Sequence, residues 1–150
     1  MEVYRISAEH YANALTCSGA EARWNRAGEN VLYTSGSRAL ASLELVVNRM
    51  AIQTGTHYKV MVISLADDSS LYEELKKEML PLNWRGLFAY PQLQQMGSEW
   101  YRSKRSLILK VPSAVIPQEY NFIINTSHPE FSKKVSLVRT EDYFWDQRLA

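Results

Sequence analysis

The chain has 150 residues, 46% of them hydrophobic and 22% charged, with a formal net charge of +1. That length and composition suit one soluble globular domain spanning 1–150, and the balanced charge excludes a global pull toward nucleic acid or membrane, so any polyanion contact has to come from a local patch. The lone Cys17 has no internal disulfide partner and reads as a small buried hydrophobe in a reducing compartment. With no basic leader and no apolar run approaching roughly 18 residues, a cytoplasmic location is expected.

Glu2 to Ile6 alternates in polarity and predicts the first strand, with Val3 and Arg5 on the face opposite Tyr4 and Ile6. Arg5 is either a surface arginine of an edge strand or a residue pointing into a site. Residues 8–18 are compatible with a short helix, and 18–30, with two glycines and mixed charge, reads as a loop. Trp24 in that loop either anchors it to the core or packs beside a ligand. Val31 to Thr34 predicts a short strand. A helix over roughly 37–53 follows from Leu40, Leu43, Val47 and Ala51 at three- and four-residue spacing, with Ser35 or Ser37 available to cap it. At about 100° per residue, Glu44 lies about 40° from Leu40, at the margin of the apolar stripe, and should be half-buried. A carboxylate there is unfavourable unless it is paired or used. The plain partner is Arg38 or Arg49, while Ser37 on the same flank lets the helix start and the carboxylate border one cleft.

His57 to Ala66 is apolar on both faces and predicts a central strand. Asp67-Asp68-Ser69-Ser70 lacks the ligand pattern of a calcium loop and reads as a turn and helix cap. Residues 70–79 predict a short amphipathic helix with Glu73, Glu74, Lys76 and Lys77 outward, stopped by Pro81. Tyr90 to Arg102 predicts a second helix with Leu93, Met96 and Trp100 on one face and Gly97 placed for a close approach. Arg102, Lys104, Arg105 and Lys110 beside Tyr101 read as a solvated basic face, with no direct nucleic acid binding expected. Ser106 to Val111, Tyr120 to Asn125 and Val135 to Arg139 predict three more strands, the last followed by Tyr143, Phe144 and Trp145. Five or so strands, three or four helices and no regular alternation point to an α+β fold with a mixed or antiparallel sheet and peripheral helices. The histidines and the cysteine have no zinc-ligand spacing, and no phosphate-binding glycine loop or dinucleotide fingerprint is present, so no metal site is expected.

Arg23, then Tyr33 and Glu44, together with Val111-Pro112-Ser113-Ala114 and the run Asn-Phe-Ile-Ile-Asn-Thr-Ser-His-Pro-Glu-Phe at 121–131, closely resemble the RES domain family. The likeness extends from Tyr4-Arg5-Ile6 to Asp146-Gln147-Arg148-Leu149. It implies a fold related to ADP-ribosyltransferases and the toxin of a bacterial toxin–antitoxin pair. NAD would be a consumed substrate and not a redox cofactor, and the partner an Xre-type helix-turn-helix antitoxin. It also implies Arg23, Tyr33, Glu44 and Ser113 as catalytic, with Arg23, Trp24, Tyr33 and Ser113 contacting NAD. The connection from Arg23 to Tyr33 is shorter than in longer members, so contacts supplied by an insertion there are not expected.

The residue types fit that chemistry. Breaking the nicotinamide–ribose bond builds positive charge on the sugar, which a fixed carboxylate such as Glu44 stabilises. Arg23 offers a planar fork to pyrophosphate, and Tyr33 a ring face and a hydroxyl. Ser113 is a short donor for a phosphate or ribose oxygen and a poor nucleophile, since His57 and His128 follow no triad order. Taken singly, the same residues read as a surface ion pair, a core tyrosine and a turn serine. Asn121, Asn125 and His128 match the family's polar run but read as scaffold that satisfies backbone groups. The acceptor stays open among water, phosphate and a protein side chain. The alternatives from other classes are a non-catalytic nucleotide- or partner-binding module and a nucleic-acid-acting toxin using the 102–110 basic group.

Overall fold

The structure, a computed structural model, describes residues 1–48, 55–144, 146 and 148. Seven strands form one sheet: β1 (Glu2–Ala8), β2 (Val31–Ser35), β3 (Tyr58–Leu65), β4 (Tyr72–Glu74), β5 (Ile108–Pro112), β6 (Tyr120–Asn125) and β7 (Val135–Tyr143), in the order β4-β5-β6-β2-β1-β3-β7. Among the described residues only β4 and β5 pair in parallel. The α+β class with a mixed, mostly antiparallel sheet therefore holds. As expected, β3 is an interior strand, paired along its length with β1 and β7. Between β1 and β2 the recorded pairing is Tyr4 opposite Ser35. Where these strands part, Arg5 Nη1 bridges to the Tyr33 carbonyl at 3.5 Å.

Side-chain alternation splits the core between the two faces of the sheet. Val3, Leu32, Met61, Ile63, Ile108 and Ile124 pack on one face. Val31, Leu109, Val111 and Ile123 pack on the other, against Trp24, Trp84, Leu93 and Trp100. Leu93 and Trp100 belong to α2 (Tyr90–Ser103). Gly97 lets α2 press on the loop before β2, because a Cβ there would stand 1.8 Å from the Trp24 carbonyl oxygen. A short third helix, α3 (Phe131–Lys134), leads into β7.

Helix α1 (Arg38–Val47) starts at Ser37, whose Oγ accepts from Leu40 N. It packs on β1 and β2. Its buried residues are Leu40, Ala41 and Leu45, and Val47 is 61% exposed, so the inward stripe is rotated from the Leu40–Leu43–Val47 line. Arg49 and Ala51 lie outside the described residues, as do Trp145, Gln147 and Leu149.

Two expected helices are absent. Residues 8–18 hold one 3-10 turn, Glu9–Tyr11, after which Ala12, Leu15 and Cys17 run over the core. Residues 70–79 form a 3-10 turn (Ser69–Leu71), the edge strand β4 and another 3-10 turn (Lys77–Met79). There β5 offers its open edge: Leu107 N donates to Leu71 O and Leu75 N to Lys110 O, and ladder bonds outweigh a local preference for helix. The Asp67-Asp68 segment does cap the first turn, with Asp68 Oδ1 accepting from Ser70 N.

Three of the four basic residues at 102–110 are met by acids. Arg105 pairs with Glu73 at 3.0 Å, Arg102 with Glu29 at 3.6 Å and Lys110 with Glu74 at 3.9 Å. Among the described residues no helix is long and apolar enough to cross a membrane.

Candidate active site

Antiparallel partners share a face of the sheet. Ser35 on β2 lies opposite Asn121 on β6, and Asn121 opposite Val111 on β5; Ser113, two residues past Val111, returns to the same face. Since α1 follows β2 with only Gly36 and Ser37 between them, its second turn hangs over this row. Glu44 Oε1 there accepts from Ser113 Oγ at 2.8 Å and from Asn121 Nδ2 at 2.8 Å. Asn121 Oδ1 accepts in turn from Ser35 Oγ at 2.8 Å. Arg38, the plain partner considered for Glu44, turns away to Glu141 and the Tyr4 ring.

Among the described residues Glu44 Oε2 accepts no hydrogen bond, and no buried side-chain oxygen is left without a partner. Oε2 therefore meets solvent. The result is a half-buried carboxylate with one oxygen held and the other open, suited to facing developing positive charge.

Ser113 itself is fully buried. Its Oγ accepts from Val115 N at 3.0 Å and Ile116 N at 3.1 Å while donating to Glu44. A hydroxyl has one proton to give, so the expected donation to a ligand oxygen is replaced by one to the glutamate.

The loop carrying Arg23 is organised by Asn25, which is 1% exposed. Asn25 Nδ2 donates to Ala20 O and Arg26 O, and its Oδ1 accepts from Tyr33 Oη. Tyr33 Oη also accepts from Trp24 N at 3.0 Å. Burial pushes the Tyr33 phenol well above the ordinary tyrosine range, and the bond from Trp24 N partly opposes that shift. The hydroxyl thus fastens the loop, both its donor and an acceptor position being taken by Asn25 and Trp24. Trp24 is 3% exposed and sits in the core, so it serves as the anchor and not as a surface beside a ligand. Glu29, 6% exposed, secures the far side of the loop by accepting from Arg26 N and Ser98 Oγ.

Arg23 is half-buried. Its Nη1 donates to Trp84 O at 2.8 Å and Nη2 to Arg85 O at 3.3 Å, and the guanidinium lies over the Tyr90 ring at 4.8 Å. The remaining N–H groups of the fork stay available to an anion. Arg85 Nε donates to Ala114 O at 2.8 Å, so the segment that holds Arg23 is tied to the residue after Ser113. Tyr33 and Ser35, two apart on β2, lie about 7 Å from each other on the same face. The Arg23–Tyr33 group therefore adjoins the Glu44 group.

Arg5 belongs elsewhere. It pairs with Met61 on the Val3 side of the sheet, and burial lowers its pKa. Asn125 and His128 are scaffold: Asn125 Nδ2 donates to Tyr101 O and Oδ1 accepts from Ser127 N, while His128 Nδ1 accepts from Glu130 N. Asn121 is no mere scaffold, since it contacts Glu44; Ser35, an alternative cap in the sequence, serves Asn121 instead, and Asn25 and Tyr90 carry no signal of their own in the sequence. The period-two pattern of β6 puts Asn121 on the Ile123 face, but only the strand order reveals that Ser35 and Glu44 wait there. Among the described residues no three His, Cys, Asp or Glu side chains gather to hold a metal.

Comparison with known proteins gives a consistent picture. The family model for the RES domain matches residues 2–146. Toxin Res of Yersinia enterocolitica is 33% identical, with 99% of both chains covered. The Prs ADP-ribosylating toxin of a Sphingobium species is 31% identical, over 92% of this chain and 88% of the relative. A chain in the crystal structure of the M. tuberculosis MbcT–MbcA toxin–antitoxin complex shares the fold with a TM-score of 0.75 at 17% identity, covering 95% of this chain and 83% of that one.

Proposed function

This chain belongs to the RES domain family, and from that premise we propose that it is the toxin of a toxin–antitoxin pair, an enzyme that consumes NAD+ by breaking the nicotinamide–ribose bond. The observation that carries the reading is the Glu44 carboxylate, held at Oε1 by Ser113 and Asn121 with Oε2 open. As neutral nicotinamide leaves, positive charge grows on the sugar, and an acceptor oxygen already fixed in place needs no reorganisation to meet it; a preorganised electrostatic group typically lowers the barrier by about 3 kcal/mol. The free N–H groups of Arg23 take the pyrophosphate, the edge of the Tyr33 ring borders the flat nicotinamide or its ribose, and Ser113 acts through Glu44.

Capture of the sugar by water makes the enzyme a glycohydrolase, and capture by phosphate a phosphorylase. Transfer to a protein side chain is the second reading, favoured by the name of the ADP-ribosylating relative. Proton NMR of purified protein with NAD+, with and without phosphate and with labelled lysate, separates the three. Nicotinamide release is expected under at least one condition, and its absence under all of them overturns the proposal.

An enzyme that destroys cytoplasmic NAD+ harms its own cell, so a partner that covers the cleft is required. An Xre-type helix-turn-helix antitoxin fills that role, its acidic tail set against Arg23 and the exposed Arg85. Coexpression then yields a stable complex without NAD+ turnover, and Arg23→Ala weakens it. A complex that remains fully active excludes occlusion.

A further inference from the structure

Three neighbouring strands each supply one polar side chain to a single row: Ser35 on β2, Asn121 on β6 and Ser113 just past β5. The row ends on Glu44. A carboxylate oxygen only accepts, so the part of the Asn121 amide facing Oε1 is its NH2 group, and the amide oxygen points back toward Ser35, whose hydroxyl donates to it. Ser35 is 4% exposed, and its one hydroxyl proton is already given to Asn121. The terminal torsion of a glutamate is broad, and a carboxylate held by one donor pivots about it. Donors from two different strands, converging on Oε1, stop that rotation, because a turn of the carboxylate breaks both bonds.

We propose that Asn121 is a positioning residue for Glu44 and that Ser35 sets the sense of its amide, so that the pair fixes the plane in which the carboxylate presents its open oxygen to the sugar. This deepens the NAD-cleavage reading and rests on it for the kinetic consequence. Asn121 acts on the orientation of a group already bound in the fold and does not touch substrate, so its loss lowers turnover and leaves substrate binding alone. Ser35 acts only through Asn121.

The test is a double-mutant cycle with Asn121→Ala, Ser35→Ala and the pair, read as kcat and KM for NAD+ turnover. Asn121→Ala is expected to lower kcat by about tenfold or more, the order for one hydrogen bond to a charged group, with KM within about twofold. Ser35→Ala lowers kcat less, and produces no further loss in the Asn121→Ala background. An unchanged kcat in Asn121→Ala overturns the proposal, as does a rise in KM alone, or an equal effect of Ser35→Ala in both backgrounds. A readout independent of turnover is the side-chain amide signal of Asn121 in the nitrogen–proton NMR spectrum, assigned by its loss in Asn121→Asp. It should move in Glu44→Gln and in Ser35→Ala, and a signal unmoved in both refutes the contact. Should the wild type release no nicotinamide while the amide signal moves, the alignment stands and the NAD reading falls.

Discussion

Ser113 and Glu44, 69 positions apart in the chain, are joined by a 2.8 Å hydrogen bond from the serine Oγ to the glutamate Oε1. The same Oγ accepts from Val115 N and Ile116 N, so one atom both shapes the turn after β5 and steadies the carboxylate. Ser113→Ala removes both functions. Turnover should fall by about tenfold or more, and the two stranded amides should lower stability by about 1–3 kcal/mol. Parallel measurement of kcat and of the urea midpoint checks this; a lost midpoint with full kcat would reduce Ser113 to a turn residue.

Arg23→Lys keeps the charge and loses the fork. The lysine cannot hold Trp84 O and Arg85 O together while stacking on Tyr90, and it offers an anion a point charge. NAD+ affinity should drop by about 1–3 kcal/mol, and limited proteolysis should cut sooner near Leu82, Leu87 and Phe88, which are already exposed. An unchanged KM combined with faster proteolysis would make Arg23 a clamp for that segment alone.

Gly97→Ala tests the contact between α2 and the Arg23 loop. In an open helix the change to alanine stabilises by about 1 kcal/mol. Here the new Cβ would stand 1.8 Å from Trp24 O and 2.7 Å from its carbonyl carbon, which forces backbone apart. Overpacking of that kind typically costs about 1–3 kcal/mol, so the net effect should be destabilising, with the Arg23 loop displaced. Equal or higher stability in a denaturant titration would show that the helix and loop move apart easily.

How much of this was legible in the sequence depends on the range of the interactions involved. β2, β6 and the interior strand β3 follow from alternation and apolar runs, and a serine cap at Ser35 or Ser37, which the structure assigns to Ser37, and the Gly97 approach follow from local chemistry. The segment 70–79 reads as a helix because its acids and lysines suit a helix surface, and only the open edge of β5, more than thirty residues on, makes β4 a strand. At the site, the family pattern singled out Glu44 and Ser113 as residue types, but their hydrogen bond depends on strand order. Asn121 looked like backbone scaffold for the same reason: its partner Ser35 is 86 positions away. Trp24 lies in the core because α2 closes over its loop at Gly97, a contact between segments some seventy positions apart.

Acid stability carries the signature of Arg38 and Glu141, which tie the start of α1 to β7. The hydrogen bonds from Arg38 bring the Glu141 carboxyl from its ordinary 4.5 down to about 2. A carboxyl whose pKa is lower folded than unfolded contributes its full stabilisation above the unfolded value and loses it as pH falls through the folded one, here between about 4.5 and about 2. Both side chains are partly exposed, so the contribution is modest and screened by salt. Thermal midpoints of the wild type and Glu141→Gln should differ at neutral pH and converge as pH approaches the bottom of that window. A constant gap would assign the difference to packing.

Glu44→Gln tests most directly the proposal that the open oxygen of Glu44 stabilises the charge that develops when nicotinamide leaves. The glutamine keeps the size and an acceptor for Ser113 and Asn121, but not the charge. Nicotinamide release followed by proton NMR, with NAD+ binding measured on the same samples by calorimetry, should show turnover abolished and affinity within a few fold of the wild type. Near-normal nicotinamide release by the glutamine variant would contradict the account.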